Sequence, residues 1–218
     1  MRKIMLLLVI FAFSSVSALS QNVIGEILKR MDAHQKSLQT LQADITTTKF
    51  SVQFGGTFTK EGTLTFLPKV NEYYLRIDST IPAPESFSII KNQYLLYLPS
   101  LKTAYTGKTS DSQKNLLLIF SNLSKKNLKS DYNIRYIGQE KVNDKTPAWK
   151  LELTPKTAKN YKTLELWIDA TGMPIQSKAI ENNDDWTNVM FENIEKNIKI
   201  NASIFAIQLP KETKIIKN

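Results

Sequence analysis

Cysteine is absent from the 218-residue sequence, and histidine occurs once, as His34. Without cysteine the chain has no disulfides, thiolate metal ligands or cysteine nucleophiles. One histidine cannot provide the usual ligand set of a zinc site, and no Gly-x-Ser-x-Gly elbow or glycine-rich phosphate loop is present. His34 is predicted to be a surface or boundary residue of a helix. We therefore expect no catalytic residue, no metal and no cofactor.

Glycine and proline are scarce, at 7 and 8 residues, which excludes collagen-like and low-complexity structure. Hydrophobic residues make up 42% of the chain, enough for the packed core of one ordinary domain. The formal charge of +9 has two interpretations. Lysines on outward strand faces can keep the protein soluble, or Lys125, Lys126 and Lys129 can contact a membrane surface or a partner.

Long hydrophobic runs are limited to residues 4–13, which are too few to cross a membrane. Arg2 and Lys3 precede this run, and small polar residues follow it as far as Ser20. The pattern is typical of a secretory signal peptide over residues 1–20. It predicts one exported domain over residues 21–218 in the periplasm, a location that disfavours nucleic acid as a partner.

Hydrophobic periodicity predicts a helix over residues 23–42 and about ten strands after it. Gly55-Gly56 indicates a hairpin turn, the change of parity near Lys49 indicates a bulge or a bend in the strand, and Pro68-Lys69 indicates the end of a strand. A second helix is predicted over residues 111–123, where Leu116, Leu117 and Phe120 belong to a segment that is apolar nearly all round. That helix is either packed in the core or a movable lid. The pattern favours an open, strongly curved antiparallel sheet with an apolar concave face.

The stretch from Leu164 to Pro210 has the clearest strand alternation, with Leu164, Leu166 and Ile168 on one face. Asp184-Asp185 follows two asparagines, and a polar turn is the favoured interpretation over a carboxylate pair or a calcium ligand. The three tryptophans are interpreted as core or rim residues rather than a sugar-binding platform. They are Trp149, Trp167 and Trp186.

Several short landmarks occur in a characteristic order along the chain. They are Gly62-Thr-Leu64 followed by Pro68 and Tyr73; Leu151-Glu-Leu-Thr-Pro155; Leu164-Glu-Leu-Trp-Ile-Asp169 with Pro174; and Phe191, Ile194 and Asn197 leading to Phe205 and Pro210. In this order the chain resembles the periplasmic outer-membrane lipoprotein carriers of the LolA type and their LolA-like relatives. The resemblance extends from Ile24 to Pro210.

The resemblance implies an α+β fold, an unclosed, strongly curved antiparallel β-barrel with helices covering an apolar cavity. It also implies a monomeric carrier that takes the acyl chains of lipoproteins from an inner-membrane transporter to an outer-membrane receptor or to the outer membrane itself. The cavity is expected to be lined by Leu64, Phe66, Tyr73, Leu75, Ile77, Leu164, Leu166, Ile168 and Phe191, and the lid to contain Leu116, Leu117 and Phe120.

One departure from the family pattern affects how the lid closes. Family carriers often have a basic residue immediately before the proline that corresponds to Pro68, and this chain has Leu67 there, with Lys69 after the proline. Lys69 is a possible substitute, although a lysine makes fewer and less directional hydrogen bonds than an arginine. The departure leaves a second hypothesis open, a LolA-like sensor or interaction domain that binds lipids or envelope proteins without ferrying lipoproteins.

Overall fold

A computed structural model of the chain describes residues 22–69, 72–109 and 124–218. Helix α1 covers residues 22–37 and helix α2 covers Lys125–Asp131. Two short 3-10 helices lie at Pro99–Leu101 and Ala202–Phe205. The strands are β1 Leu41–Ser51, β2 Gly56–Lys69, β3 Glu72–Ile81, β4 Glu85–Ile90, β5 Gln93–Leu98, β6 Thr103–Lys108, β7 Tyr132–Val142, β8 Thr146–Pro155, β9 Tyr161–Ile168, β10 Pro174–Glu181, β11 Trp186–Lys196 and β12 Lys214–Lys217.

All twelve strands of the described chain belong to one sheet, in the order β12-β6-β5-β4-β3-β2-β1-β11-β10-β9-β8-β7. Neighbours pair antiparallel except β12, which pairs parallel with β6. The two edge strands, β12 and β7, do not pair with each other, so the curved sheet stays open. The expected open, curved, mainly antiparallel sheet with helices is therefore confirmed, and the helix-covered cavity stays a prediction.

Helix α1 covers the part of the sheet that contains the C-terminal strands. Its Ile27, Leu28 and Met31 are at most 2% exposed and share a hydrophobic cluster with strand residues. Those strand residues are Leu151, Leu153, Leu164, Leu166 and Ile168. The 3–4 spacing of apolar residues therefore forms one buried stripe on α1, as the periodicity predicts.

The predicted end of this helix at residue 42 is wrong, because α1 ends at residue 37 and Leu41 begins β1. A distant residue stabilises the end of the helix. The Asn197 side chain accepts a hydrogen bond from the Gln39 amide at 2.7 Å and donates to the Ser37 carbonyl at 3.1 Å. Leu38 and Leu41 continue the helical spacing by coincidence, since Leu41 pairs with Phe66 of β2.

The predicted bulge near Lys49 is also wrong, whereas the strand end predicted at Pro68-Lys69 is confirmed, because β2 ends at Lys69. Strand β1 pairs with β2 without a break past Lys49, and its register shift against β11 lies between Gln42 and Asp44. Strand β2 continues through Pro68 to Lys69. The β1 partners of β2 end at Phe66, so β2 is locally an edge strand at Pro68, where the missing donor of a proline is tolerated.

The remaining differences lie around the second predicted helix and at the C-terminal end. Residues 111–123, including the predicted lid residues Leu116, Leu117 and Phe120, lie outside the described residues. The basic stretch after them, for which no helix is predicted, forms α2. Its first turn is capped by the Ser124 hydroxyl, which accepts from the Asn127 amide at 3.3 Å.

Residues 197–213 connect β11 to β12, and we call residues 197–218 the strap. Phe205 on the strap is fully buried, and its ring lies 5.7 Å from that of Tyr74 on β3. The Arg76 guanidinium donates to the Ile204 carbonyl at 2.6 Å. At the far end, the Lys214 amide donates to the Lys102 carbonyl at 2.8 Å before β12 pairs with β6. The strap thus connects the last strands in sequence to the opposite edge of the sheet.

Candidate functional site

The two faces of the sheet differ, and strand register assigns each residue to one of them. We call the face that α1 contacts the inner face and the opposite face the outer face. Leu166, which packs with α1, is paired with Ser177 of β10, and Ser177 is paired with Val189 of β11. Val189 is paired with Thr47 of β1. Because cross-strand partners point to the same side, the inner face can be followed from strand to strand.

The first apolar row crosses β1 to β5 on the inner face. Cross-strand pairing joins neighbours of this row in the order Leu41, Phe66, Leu75, Ile89 and Tyr94. Their side chains are between 0% and 8% exposed. This row is therefore the packed core of the N-terminal part of the sheet.

The second apolar row lies beside the first and is less covered. Ala43 and Leu64 are buried, whereas the later members of the row are half-buried and pack against the same hydrophobic cluster. The half-buried members, paired in succession, are Ile77, Phe87, Leu96 and Tyr105. Bulky apolar side chains in this state present an apolar lining on the inner face, which can bind an apolar ligand by removing more surface from water.

The predicted cavity residues on β2, β3 and β11 come together on the inner face. Leu64, Phe66, Leu75 and Phe191 belong to one hydrophobic cluster, and Ile77 packs against it. Tyr73 is part of β3 and pairs with Pro68, and its side chain lies outside the described residues.

The three predicted cavity residues on β9 have a different environment. Leu164, Leu166 and Ile168 are 7%, 0% and 0% exposed and belong to the cluster that contains α1. They are on the inner face, as the alternation predicts. The described structure separates them from the N-terminal group, because helix α1 already covers them.

Lys69 does not lie where it could close a lid over the inner face. Register places Leu67 opposite Tyr74, on the outer face, and Lys69 has the same parity. The Lys69 ammonium lies 4.6 Å from the centre of the Tyr74 ring, where the cation is attracted to the face of the ring. Lys69 therefore interacts with the outer face beside the strap.

Trp167 and Trp186 lie on the outer face of the C-terminal strands, in a shallow groove with polar and charged side chains. The Lys150 ammonium lies 4.5 Å from the centre of the Trp167 ring, and the Trp167 indole donates to Glu140 at 2.7 Å. Lys178 lies 4.5 Å from the centre of the Trp186 ring. With its charged lining, the groove is unsuited to an acyl chain.

The remaining tryptophan, Trp149, packs against the cluster that contains α1. The Arg30 guanidinium of α1 lies 5.2 Å from the centre of its ring. Trp149 is thus a residue at the edge of the core, in agreement with the interpretation of the tryptophans as core or rim residues.

Asp184 and Asp185 form the predicted polar turn between β10 and β11. Asp184 pairs with Lys162, and the Asp185 carboxylate accepts a hydrogen bond from the Val52 amide at 2.7 Å. Among residues 22–69, 72–109 and 124–218, no group of three or more histidine, aspartate or glutamate side chains is placed to hold a metal ion.

His34 lies on α1 and is half-buried, which agrees with its prediction as a boundary residue. Burial lowers the pKa of the His34 imidazole, the nearby Lys196 ammonium lowers it further, and Asp169 opposes the shift. The burial effect arises because removing the imidazolium from water disfavours its charged form.

Sequence reasoning missed the half-buried residues Phe87, Leu96 and Tyr105. Phe87 and Leu96 lie on a correctly predicted hairpin, but alternation within a strand does not tell which of its faces is the inner one. The signal was the cross-strand pairing of Phe87 with Ile77, which joins the hairpin to the predicted cavity strands. That pairing is visible only once the sheet is assembled.

The family model described as the outer membrane lipoprotein carrier protein LolA matches residues 36–208. The chain belongs to the LolA family. The match begins near the end of α1 and includes β1 to β11 and most of the strap. The resemblance expected from the landmark residues is confirmed, and a comparison with curated protein sequences finds no match.

Solved structures similar to this LolA-family chain share its fold at low sequence identity. An uncharacterized conserved protein from Thermus thermophilus has a TM-score of 0.58 and 13% identity, covering 90% of this chain and 99% of its own. MucB has a TM-score of 0.54 and 16% identity, covering 88% and 64%. A chain of the Pseudomonas aeruginosa MucA/MucB complex has a TM-score of 0.51 and 17% identity, covering 88% and 62%. The described helices include none long and apolar enough to cross a bilayer.

Proposed function

We propose that this protein is a non-catalytic carrier that binds the acyl chains of lipoproteins on its inner face and transports them from the inner to the outer membrane. The observation that carries the proposal is the second apolar row, where Ile77, Phe87, Leu96 and Tyr105 are half-buried side by side. Membership of a family described as lipoprotein carriers supports the same function.

The energetics of an acyl chain explain why a carrier needs such a face. Exposure of an acyl chain to water costs about 0.8 kcal/mol per CH₂ group, so a lipoprotein in transit needs an apolar surface. Side chains that are half-buried without ligand can still lose exposed area when an acyl chain covers them. A carrier must also release its cargo to the next partner, so the acyl chain must not fit the binding surface too closely. The two apolar rows form a broad face rather than a narrow slot, which suits such loose binding.

The residues predicted to line the cavity fall into two groups with different roles. Leu64, Phe66, Leu75, Ile77 and Phe191 form or adjoin the first cluster and would contact or support the acyl chains. The β9 residues Leu164, Leu166 and Ile168 support α1 against the sheet. The lid at Leu116, Leu117 and Phe120, the signal peptide over residues 1–20, the inner-membrane transporter and the outer-membrane receptor belong to the proposal as predictions.

Native mass spectrometry of the protein purified from its own periplasm tests the binding of acyl chains. A bound mass matching a diacylated or triacylated species is expected. Depletion of the protein should then leave lipoproteins in the inner membrane. Correct sorting of lipoproteins after depletion, with no acylated species bound to the purified protein, would contradict carriage.

A sensor or interaction domain that binds lipids or envelope proteins is the second hypothesis. It is favoured by the fold shared with MucB and with a chain of the MucA/MucB complex. The carrier and the sensor differ in whether they release the bound lipid or lipoprotein. A carrier releases its cargo to membranes that accept it, so transfer of a labelled acylated peptide between two vesicle populations is expected of the carrier. Stable binding of the peptide without transfer would favour the sensor.

A further inference from the structure

The hairpin between β1 and β2 extends beyond the strand next to it. Pairing of β2 with β3 begins at Glu61, whereas residues 56–60 of β2 pair only with β1. At about 3.4 Å per residue, these five residues project roughly 17 Å past the end of β3. On its other side, β1 stays paired with β11 as far as Phe50, so the free end of the hairpin begins at Ser51. We call residues 51–58 the hairpin tip.

The hairpin tip is uncharged and exposes large apolar side chains. Its sequence is Ser-Val-Gln-Phe-Gly-Gly-Thr-Phe. Val52 is 52% exposed, Phe54 74% and Phe58 64%. Among the large hydrophobic residues that are most exposed in the described chain, three therefore share one turn of one hairpin, and a surface of this kind marks a contact with another apolar phase.

The tip is anchored to the body of the protein. The Asp185 carboxylate accepts a hydrogen bond from the Val52 amide at 2.7 Å, and the Gly55 amide donates to the Val52 carbonyl at 3.3 Å. Gly55 has a positive φ of 60°, which a glycine adopts without strain. Two lysines, Lys49 and Lys60, are exposed on the strands directly behind the tip, and Lys60 is ion-paired with Glu85 at 2.6 Å.

An apolar end followed by lysines fits the interface of an anionic bilayer. Apolar side chains enter the boundary between headgroups and acyl chains, while lysines remain at the level of the phosphates. Without Arg2 and Lys3 of the predicted signal peptide the formal charge of +9 falls to +7, and this positive charge adds attraction to an anionic surface. A stable protein interface buries about 800 Å² on each partner, which three side chains on a narrow hairpin do not provide.

We propose that the hairpin tip is a membrane-contacting element, which inserts Phe54, Phe58 and Val52 into the interface of an anionic phospholipid bilayer. This surface lies outside the two apolar rows and its contact with lipid needs no cargo. Failure of the carrier function would therefore leave the membrane contact testable, and failure of the membrane contact would leave acyl binding intact.

Insertion can be followed with a fluorophore on the tip. Because the chain has no cysteine, Gln53→Cys provides a single site for an environment-sensitive label. Vesicles of phosphatidylglycerol and phosphatidylethanolamine should shift its emission to shorter wavelength, and the same label on Thr157→Cys, at an exposed bend, should not respond. The absence of a shift at position 53 with these vesicles would overturn the proposal.

The side chains responsible are tested by vesicle cosedimentation of unlabelled protein. Phe54→Ser and Phe58→Ser should each lower the partition constant about tenfold, since burying a phenylalanine contributes on that order. The matched control is Leu101→Ser, because Leu101 is 62% exposed and lies outside the tip. Circular dichroism should show all variants folded. Equal partitioning of the folded Phe54→Ser/Phe58→Ser double variant and of the wild type would overturn the proposal, as would an equal loss in Leu101→Ser.

Discussion

The N-terminal strands β1 to β6 and the C-terminal strands β7 to β11 belong to one sheet, yet different elements cover the two regions. On the C-terminal strands, α1 covers the inner face, and the outer face has a polar groove around Trp167 and Trp186. On the N-terminal strands, the strap covers the outer face through Phe205 and Tyr74. Their inner face has the two apolar rows, of which the second is half-buried.

This difference shows how one sheet can hold both a buried core and a less buried apolar surface, to which we assign the proposed binding. The C-terminal strands achieve their burial with a helix of the same chain. The N-terminal strands bury their first apolar row on the inner face and have the strap against their outer face, whereas Phe87 and Leu96 of the second row are only half-buried. Damage to the strap, to the α1 contact and to the second apolar row should therefore have separate consequences.

The largest effect is expected from the strap. Phe205→Ala removes a fully buried ring from the outer face of β3, and a loss of about 3–5 kcal/mol in the free energy of unfolding is expected for such a cavity. Urea unfolding measures this loss. The adjacent Ile204 is 39% exposed, so Ile204→Ala should cost far less. Equal stabilities of the two variants would show that packing of Phe205 does not stabilise the N-terminal strands.

A smaller loss is expected where α1 contacts the C-terminal strands. Gly172 has a φ of 89°, and a Cβ placed on it would overlap the Arg30 carbonyl and lie 2.7 Å from the Met31 amide nitrogen. Gly172→Ala should therefore destabilise the protein by about 2–4 kcal/mol through backbone strain and overpacking.

Gly25→Ala is the matched control for that experiment, because no atom lies within 4 Å of a Cβ placed on this α1 residue. An alanine in the helix should be neutral or stabilising by up to about 1 kcal/mol. Thermal unfolding measures the stability of both variants relative to wild type. A Gly172→Ala protein as stable as wild type would contradict the close contact between α1 and the turn after β9.

Acyl binding should depend on the inner face of the N-terminal strands, with support from Phe191 of β11, and not on the part of the inner face under α1. Leu96→Asn places a polar group on the second apolar row, and we expect about tenfold weaker binding of a fluorescent diacyl probe, equivalent to about 1.4 kcal/mol. The control Ile134→Asn changes a half-buried apolar residue beside α1 and should leave probe affinity near that of wild type. An equal loss of affinity in both variants would mean that the two parts of the inner face bind the probe together.

The smallest effect concerns pH. The folded state holds the pKa of His34 below its ordinary value of 6.5, mainly through burial. As the pH falls through about 6.5, the unfolded chain takes up a proton that the folded chain resists, so the free energy of unfolding should decrease. His34→Gln should lose less stability than wild type between pH 7.5 and 5.5. Parallel stability curves over this range would contradict the burial of His34.

Local patterns in the sequence were sufficient to predict most strands and the alternation of buried and exposed residues along them. Leu164, Leu166 and Ile168 share a face, as period-two spacing predicts. Gly55-Gly56 lies at the turn between β1 and β2, where the hairpin turn is predicted. The order of the landmark residues was sufficient to identify the family. These features depend on residues close in sequence or on their order along the chain.

Features that depend on distant contacts could not be predicted. Asn197 stabilises the end of α1 from about 160 residues away, so the helical spacing alone extended the helix too far. The strap packs Phe205 on Tyr74, across more than a hundred residues, and β12 is too short for a pattern. Only the assembled register separates the part of the inner face under α1 from the part with half-buried Leu96.

Neighbouring residues of β5 provide the most direct test of the proposed binding of acyl chains to the inner face of the N-terminal strands. Leu95 and Leu96 are both half-buried but point to opposite faces, since Leu95 pairs with Ser88 and Leu96 with Phe87. A photo-crosslinking amino acid at either position would report which face meets an acylated lipoprotein in cells. We predict crosslinks from position 96 and none from position 95. Crosslinks from position 95 alone, or equally from both, would contradict the account.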